Sequence, residues 1–173
     1  MKKEMKGYTL IELVMAVSLL VMVLVGGTAI FYRSFRSSGV SDIQVSLNAG
    51  LRSLDEMIER SLRYGEVLRV GENQRAGCLM AGVSGISGDI LVVRDPSGGQ
   101  ITYSLSEGLV SSNSAVISSS DMNVTKLEFR WFCRSGVNDK MNLYIEASPF
   151  DIKGDSFTVV FNKDINLLNS GIN

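Results

Sequence analysis

The chain has 173 residues, a formal net charge of −1 and no histidine. Near-neutral charge gives no electrostatic case for nucleic acid as a direct partner. The absence of histidine removes the commonest general base and a common metal ligand, and with it the usual Ser-His pairing, while Ser-Lys pairs stay open.

Residues 1–7 carry Lys2, Lys3 and Lys6 and read as a basic leader, a targeting segment outside the fold. Residues 8–31 follow as an apolar span, uncharged from Leu13 to Phe31. A helix over that uncharged part covers roughly 28 Å, enough for a bilayer's hydrocarbon core. Glu12 stands in its first turns and needs a reason. A carboxylate at the bilayer centre costs about 2.5–3.5 kcal/mol, and less near a helix end, where it can reach the interface. Two readings follow: a tolerated, snorkelling glutamate, or a carboxylate that meets a cation from another chain. Cleavage after Gly7 would create such a cation, the α-amino group of Tyr8. A secretory signal cut after Gly27-Thr28-Ala29 is the competing reading; the carboxylate in the apolar run and the helical pattern beyond Ala29 argue against it.

Residues 32–64 continue the helix in amphipathic form. Arg33 and Arg36 mark the interface. Ile43, Leu47, Leu51, Leu54, Ile58 and Leu62 recur at three- and four-residue steps, with Asp42, Arg52, Asp55, Glu56, Glu59, Arg60 and Arg63 at the other positions. No proline precedes Pro96, and Gly65 is a natural stop, so one helix is expected from Tyr8 to about Tyr64. Gly26-Gly27 and Ser37-Ser38-Gly39 are its weak points.

Residues 65–173 read as a β-rich globular domain. Strands are expected at Glu66–Val70, at Ile90–Val93, at Gln100–Leu105 after the turn Asp95-Pro96-Ser97-Gly98-Gly99, and as a short piece at Leu109-Val110. Gly71–Gly88 reads as irregular with at most one strand, and Ser111–Ser120 as a surface loop. Val124–Cys133, Met141–Ala147 and Ser156–Phe161 complete the strands, with Ser135–Lys140 turning the chain between the first two. The two cysteines, Cys78 and Cys133, do not form a zinc pattern; a disulfide in an exported domain and two buried thiols both remain open. Asp151, Asp155 and Asp164 lack EF-hand spacing, so solvated loop carboxylates are favoured over a calcium site. Asn123-Val124-Thr125 matches a glycosylation sequon but carries little weight. The fold class expected is α+β, a long N-terminal helix packed on a C-terminal antiparallel sheet.

The stretch Gly7-Tyr8-Thr9-Leu10-Ile11-Glu12-Leu13, with its basic leader and apolar span, resembles the processing motif of type IV pilins and type II secretion pseudopilins. The resemblance covers roughly the first 30 residues and implies cleavage after Gly7 by a prepilin peptidase, N-methylation of Tyr8, and pairing of Glu12 with a neighbouring subunit's N-terminus. Tyr8 departs from the family's commoner phenylalanine. The later strand spacing is more loosely similar to J-type minor pseudopilins and large minor pilins. The implied protein is no enzyme and needs no cofactor. Its partners are other pilin or pseudopilin subunits, an inner-membrane assembly platform, the peptidase and membrane lipid. It spans the inner membrane once, with its C-terminal domain outside the cytoplasm, before entering a filament. Two other classes are alternatives: a single-pass anchored binding module outside the membrane, and an exported enzyme.

Overall fold

The computed structural model describes residues 9–150 and 157–169, with the backbone alone over 36–40. Gly7, Tyr8, Asp151 and Asp155 lie outside the described residues. The elements run α1 (Leu10–Tyr64), β1 (Glu66–Val70), β2 (Asn73–Gln74), α2 (Arg75–Ala81), β3 (Ile86–Gly88), β4 (Leu91–Arg94), β5 (Gln100–Ser106), β6 (Leu109–Ser112), β7 (Ala115–Val116), β8 (Met122–Phe132), β9 (Lys140–Pro149) and β10 (Val159–Asn166). The class is α+β. The chain divides into two units, Met1–Ile43 and Gln44–Asn173, and the division falls within α1.

In the first unit, α1 opens on Thr9. Its hydroxyl accepts the Glu12 N–H at 3.4 Å and its carbonyl accepts the N–H groups of Glu12 and Leu13. This is an N-cap, and Glu12 places a negative charge at the positive end of the helix. Within Leu10–Phe35 an 18-residue window has a mean hydropathy of 2.5, and none of that window is buried. Its 26 residues cover about 39 Å and are long and apolar enough to cross a membrane. Ser18 and Thr28 donate their hydroxyls to the carbonyls of Val14 and Val25, so neither needs water. The helix passes Gly26 and Gly27 without interruption.

In the second unit, Leu47, Leu51, Leu54, Ile58 and Leu62 are at most 4% exposed. They form a single core with Val67, Val93 and Val110 and with Phe129, Leu143 and Ile145. The strands make two antiparallel sheets rather than one: β2-β1-β4-β5-β6-β7 and β10-β9-β8-β3. The helix is tied to both. Ser61 Oγ and Tyr103 OH are 2.7 Å apart on the first sheet, and Lys163 of β10 donates to Asp55 and Glu59 at 2.7 Å each on the second.

Gly65 ends the helix for a steric reason. Its N–H closes on the Ser61 carbonyl at 2.9 Å, and a Cβ there would lie 2.5 Å from Val93 Cγ1 and 2.7 Å from the Arg94 carbonyl. The Asp95 turn is held by its own carboxylate, which accepts Ser97 Oγ–H and the N–H groups of Ser97 and Gly99; these bonds keep its pKa below the ordinary value.

Three readings need correction. Gly71–Gly88 is not irregular but holds β2, α2, a 3-10 turn at Gly82–Ser84 and β3. The last strand runs Val159–Asn166, several residues later than expected, because Lys163 occupies an inward position and points at the helix carboxylates. The serine-rich stretch is not all surface loop: it contains the end of β6 and β7, and its Ser118 is buried with its hydroxyl accepting the Val110 N–H.

Candidate functional site

The residues singled out from the sequence fall into both units. Glu12 stands on the first turn of α1 with its side chain exposed. It makes no ion pair among the described residues, and its backbone N–H is taken by Thr9. Every large apolar side chain shown from Leu10 to Phe35 is at least 50% exposed, including Leu10, Met15, Met22, Val23 and Phe31. Between Glu12 and Arg33 no charged side chain interrupts this surface, and apolar patches of that size are unusual on monomeric soluble proteins. It calls for lipid, for other apolar helices, or for both in turn.

Cys78 and Cys133 meet in the second unit as a disulfide, with their Cα atoms 5.6 Å apart. Both are buried, in α2 and just past β8. One helical turn from Cys78 on α2, Arg75 Nε reaches Asp139 Oδ2 at 3.2 Å, and the Asp139 side chain is fully buried. By its neighbours Asp139 belongs to an ordinary polar turn, Ser135–Lys140, and nothing local signals its burial. Asp55 is among the charged residues outside the apolar stripe of α1, yet it is 7% exposed beneath Lys163. Glu59 sits beside it, and Lys163 first and Arg63 second hold its pKa below the ordinary carboxylate value. Asp55 first and Glu59 second raise the Lys163 pKa.

No group of three or more His, Cys, Asp or Glu side chains that could hold a metal occurs among the described residues. Asp164 accepts an amide N–H from Asn142 at 2.8 Å and lies 3.9 Å from Lys140. Asp55, Glu59, Asp139 and Asp164 are thus engaged in fastening elements together, whereas the exposed apolar helix with its one carboxylate has no internal partner among the described residues. Compared with protein-family models, curated proteins and solved structures, the chain finds no significant match.

Proposed function

We propose that this chain is a low-copy structural subunit, a minor pilin or pseudopilin, of a type IV pilus-like filament or a type II secretion pseudopilus. The observation that carries the reading is the helix from Leu10 to Phe35, apolar on all sides and unburied, headed by Thr9-Leu10-Ile11-Glu12. Such a helix suits two environments in succession, a bilayer first and a bundle of like helices afterwards.

In this reading a prepilin peptidase cuts after Gly7, where a pocket admits backbone but no side chain, and Tyr8 becomes the N-methylated terminus. Lys2, Lys3 and Lys6 hold the leader on the cytoplasmic side, leaving the second unit outside. Glu12 then lies one helical turn from Tyr8. A neighbour displaced along the filament axis offers its terminal ammonium at the same depth. An unpaired carboxylate and an unpaired ammonium are each costly in hydrocarbon, so docking relieves both at once. A subunit that caps a tip has nothing ahead of it to pair with; retention of Glu12 suits a place beneath a cap or within the shaft.

The test is the mass of the mature N-terminal peptide together with the fate of Glu12→Ala. The expected terminus is N-methylated Tyr8, and a terminus at Thr28 or later would overturn the reading. Glu12→Ala should insert and be cut normally yet be depleted from sheared filaments. Normal incorporation would remove the pairing mechanism, and a copy number equal to the major subunit's would remove the minor rank.

A further inference from the structure

The four-stranded sheet turns one face to the core and the other outward. Register pairs Arg130 with Asn142 and Phe132 with Lys140, and in turn Asn142 with Asp164 and Lys140 with Asn166. Paired residues share a face, so these six stand together, back to back with the buried Trp131, Met141 and Ile165. Above them opens a cleft of about 900 Å³, walled on one side by the segment from Cys133 to Lys140. That volume suits a ligand of several rings rather than a single small ion.

The lining has three kinds of chemistry. Arg130, Arg134 and Lys140 face one carboxylate, Asp164, so the cleft carries an excess of positive charge on a chain whose net charge is −1. Arg130 is paired with Glu128 at 3.1 Å and Lys140 only loosely with Asp164 at 3.9 Å, while Arg134 makes no ion pair among the described residues. The second kind is amide. Asn142 Nδ2 donates to Asn162 Oδ1 at 2.7 Å and to Asp164 Oδ1 at 2.8 Å, which leaves Asn142 Oδ1 to accept and Asn162 Nδ2 to donate. The third is apolar: Val83 is 76%, Val137 57% and Leu168 48% exposed, beside a half-buried Phe132.

The wall is also built to hold its shape. Cys133 at its start is bonded to Cys78, and Asp139 near its end is ion-paired with Arg75, both partners lying on α2. The Asp139 carbonyl in addition accepts the Leu167 N–H at 3.0 Å. Arg134, Val137 and Asn138 are thus carried on a segment fixed at both ends, which lowers the cost of ordering them around a ligand.

We infer that this cleft binds an acidic saccharide. Arg134 takes the carboxylate, the Asn142–Asn162 amides take ring hydroxyls, and Phe132 with Val83 and Val137 receives the C–H face of a sugar ring. Nucleic acid fits less well, because a phosphate track wants a row of cations and Asp164 stands among these. The inference holds whether or not the chain enters a filament.

The test uses the full chain in detergent and calorimetric titration with four probes: tetragalacturonate, an alginate tetramer, a hyaluronan tetrasaccharide and sialyllactose. At least one should bind, its carboxyl methyl ester about tenfold more weakly. Arg134→Ala should weaken binding about tenfold and Arg134→Lys should restore part of it; Arg134 is exposed, and an unchanged unfolding midpoint confirms that the fold is kept. Reduction of the disulfide should weaken binding as well. Failure of all four probes, equal binding of the methyl ester, or equal or tighter binding of duplex DNA would each overturn the proposal.

Discussion

Removing the disulfide between Cys78 and Cys133 tests how the second unit is held together. The two residues are 55 apart in sequence. In the chain-entropy account, closing a loop of that length removes roughly 14 cal/mol/K from the unfolded ensemble, about 4 kcal/mol at 25 °C. That is a large share of the 5–15 kcal/mol typical of a whole domain. Trp131 is the one tryptophan, fully buried and two residues from Cys133, so its emission reports unfolding of the region that the bridge fastens. The assay is urea unfolding of the oxidised protein, the reduced protein and the Cys78→Ala/Cys133→Ala variant, followed at Trp131. Reduction should lower stability by about 3–4 kcal/mol and steepen the transition, since the unbridged unfolded chain exposes more surface. The alanine variant should lose slightly more, because both sulfurs are buried and leave unfilled space. If oxidised and reduced proteins unfold within about 1 kcal/mol of each other, the loop-entropy reasoning fails here. Alkylation of the untreated, unfolded protein should find no free thiol; two labelled cysteines would refute the bridge itself.

Three further outcomes are expected. Lys163→Met leaves the nearly buried Asp55 and Glu59 facing each other; breaking a fully buried pair costs about 3–5 kcal/mol, and the one-third exposure of Lys163 reduces this to about 1–2 kcal/mol at pH 7. Glu59 has a lowered pKa, so its contribution is present above its unfolded value near 4.5 and lost as pH falls through the folded value. Lys163 has a raised pKa, so its contribution is present below 10.5 and lost as pH rises through the folded value. The difference between wild type and variant in urea midpoint should therefore shrink by pH 3, and a constant difference would contradict the pairing. Leu54→Ala should cost about 2–5 kcal/mol in thermal or urea unfolding, whereas Val45→Ala, 69% exposed on the same helix, should change little. Gly65→Ala should destabilise by about 1–3 kcal/mol, because its methyl meets Val93 and the Arg94 carbonyl; a neutral result would mean that the helix end moves freely away from β4.

The parts of this fold that read easily from sequence are those governed by neighbours along the chain. The apolar stripe from Leu47 to Leu62 fixed the core face of α1, and Gly65 marked its end. The β8–β9 hairpin announced itself by alternation around turn residues, and β4–β5 by an apolar run, a turn and an alternating return. What stayed hidden depends on distant partners. The seven-residue α2 has a glycine inside it, no side-chain cap at its start and only Cys78 buried, so no periodicity rises above its surroundings. The division into two sheets arises because β3 pairs across to β8 while β4 pairs with β1. In β10 the lysine at an inward position broke the apolar alternation, and only Asp55 and Glu59, more than a hundred residues earlier, explain it. Asp139 is the same case: its burial rests on Arg75, 64 residues earlier. The motif Gly7-Tyr8-Thr9-Leu10-Ile11-Glu12, on which the proposed function rests, is by contrast wholly local.

The strand order also sets a timetable for assembly. The first sheet draws all its strands from residues 66–116, so it can close while the rest of the chain is still being made. The second cannot. Its β3 edge pairs Ile86 with Trp131, and Cys78 waits equally long for Cys133. A chain emerging N-terminus first thus passes through a stage with one finished sheet, an unpaired β3 and a free thiol at Cys78. Contacts so far apart in sequence form slowly, and an open strand edge is a template for the wrong partner until they do. Arrival of β8 changes both at once, covering one edge of β3 and bringing the second sulfur, Cys133, just past its end.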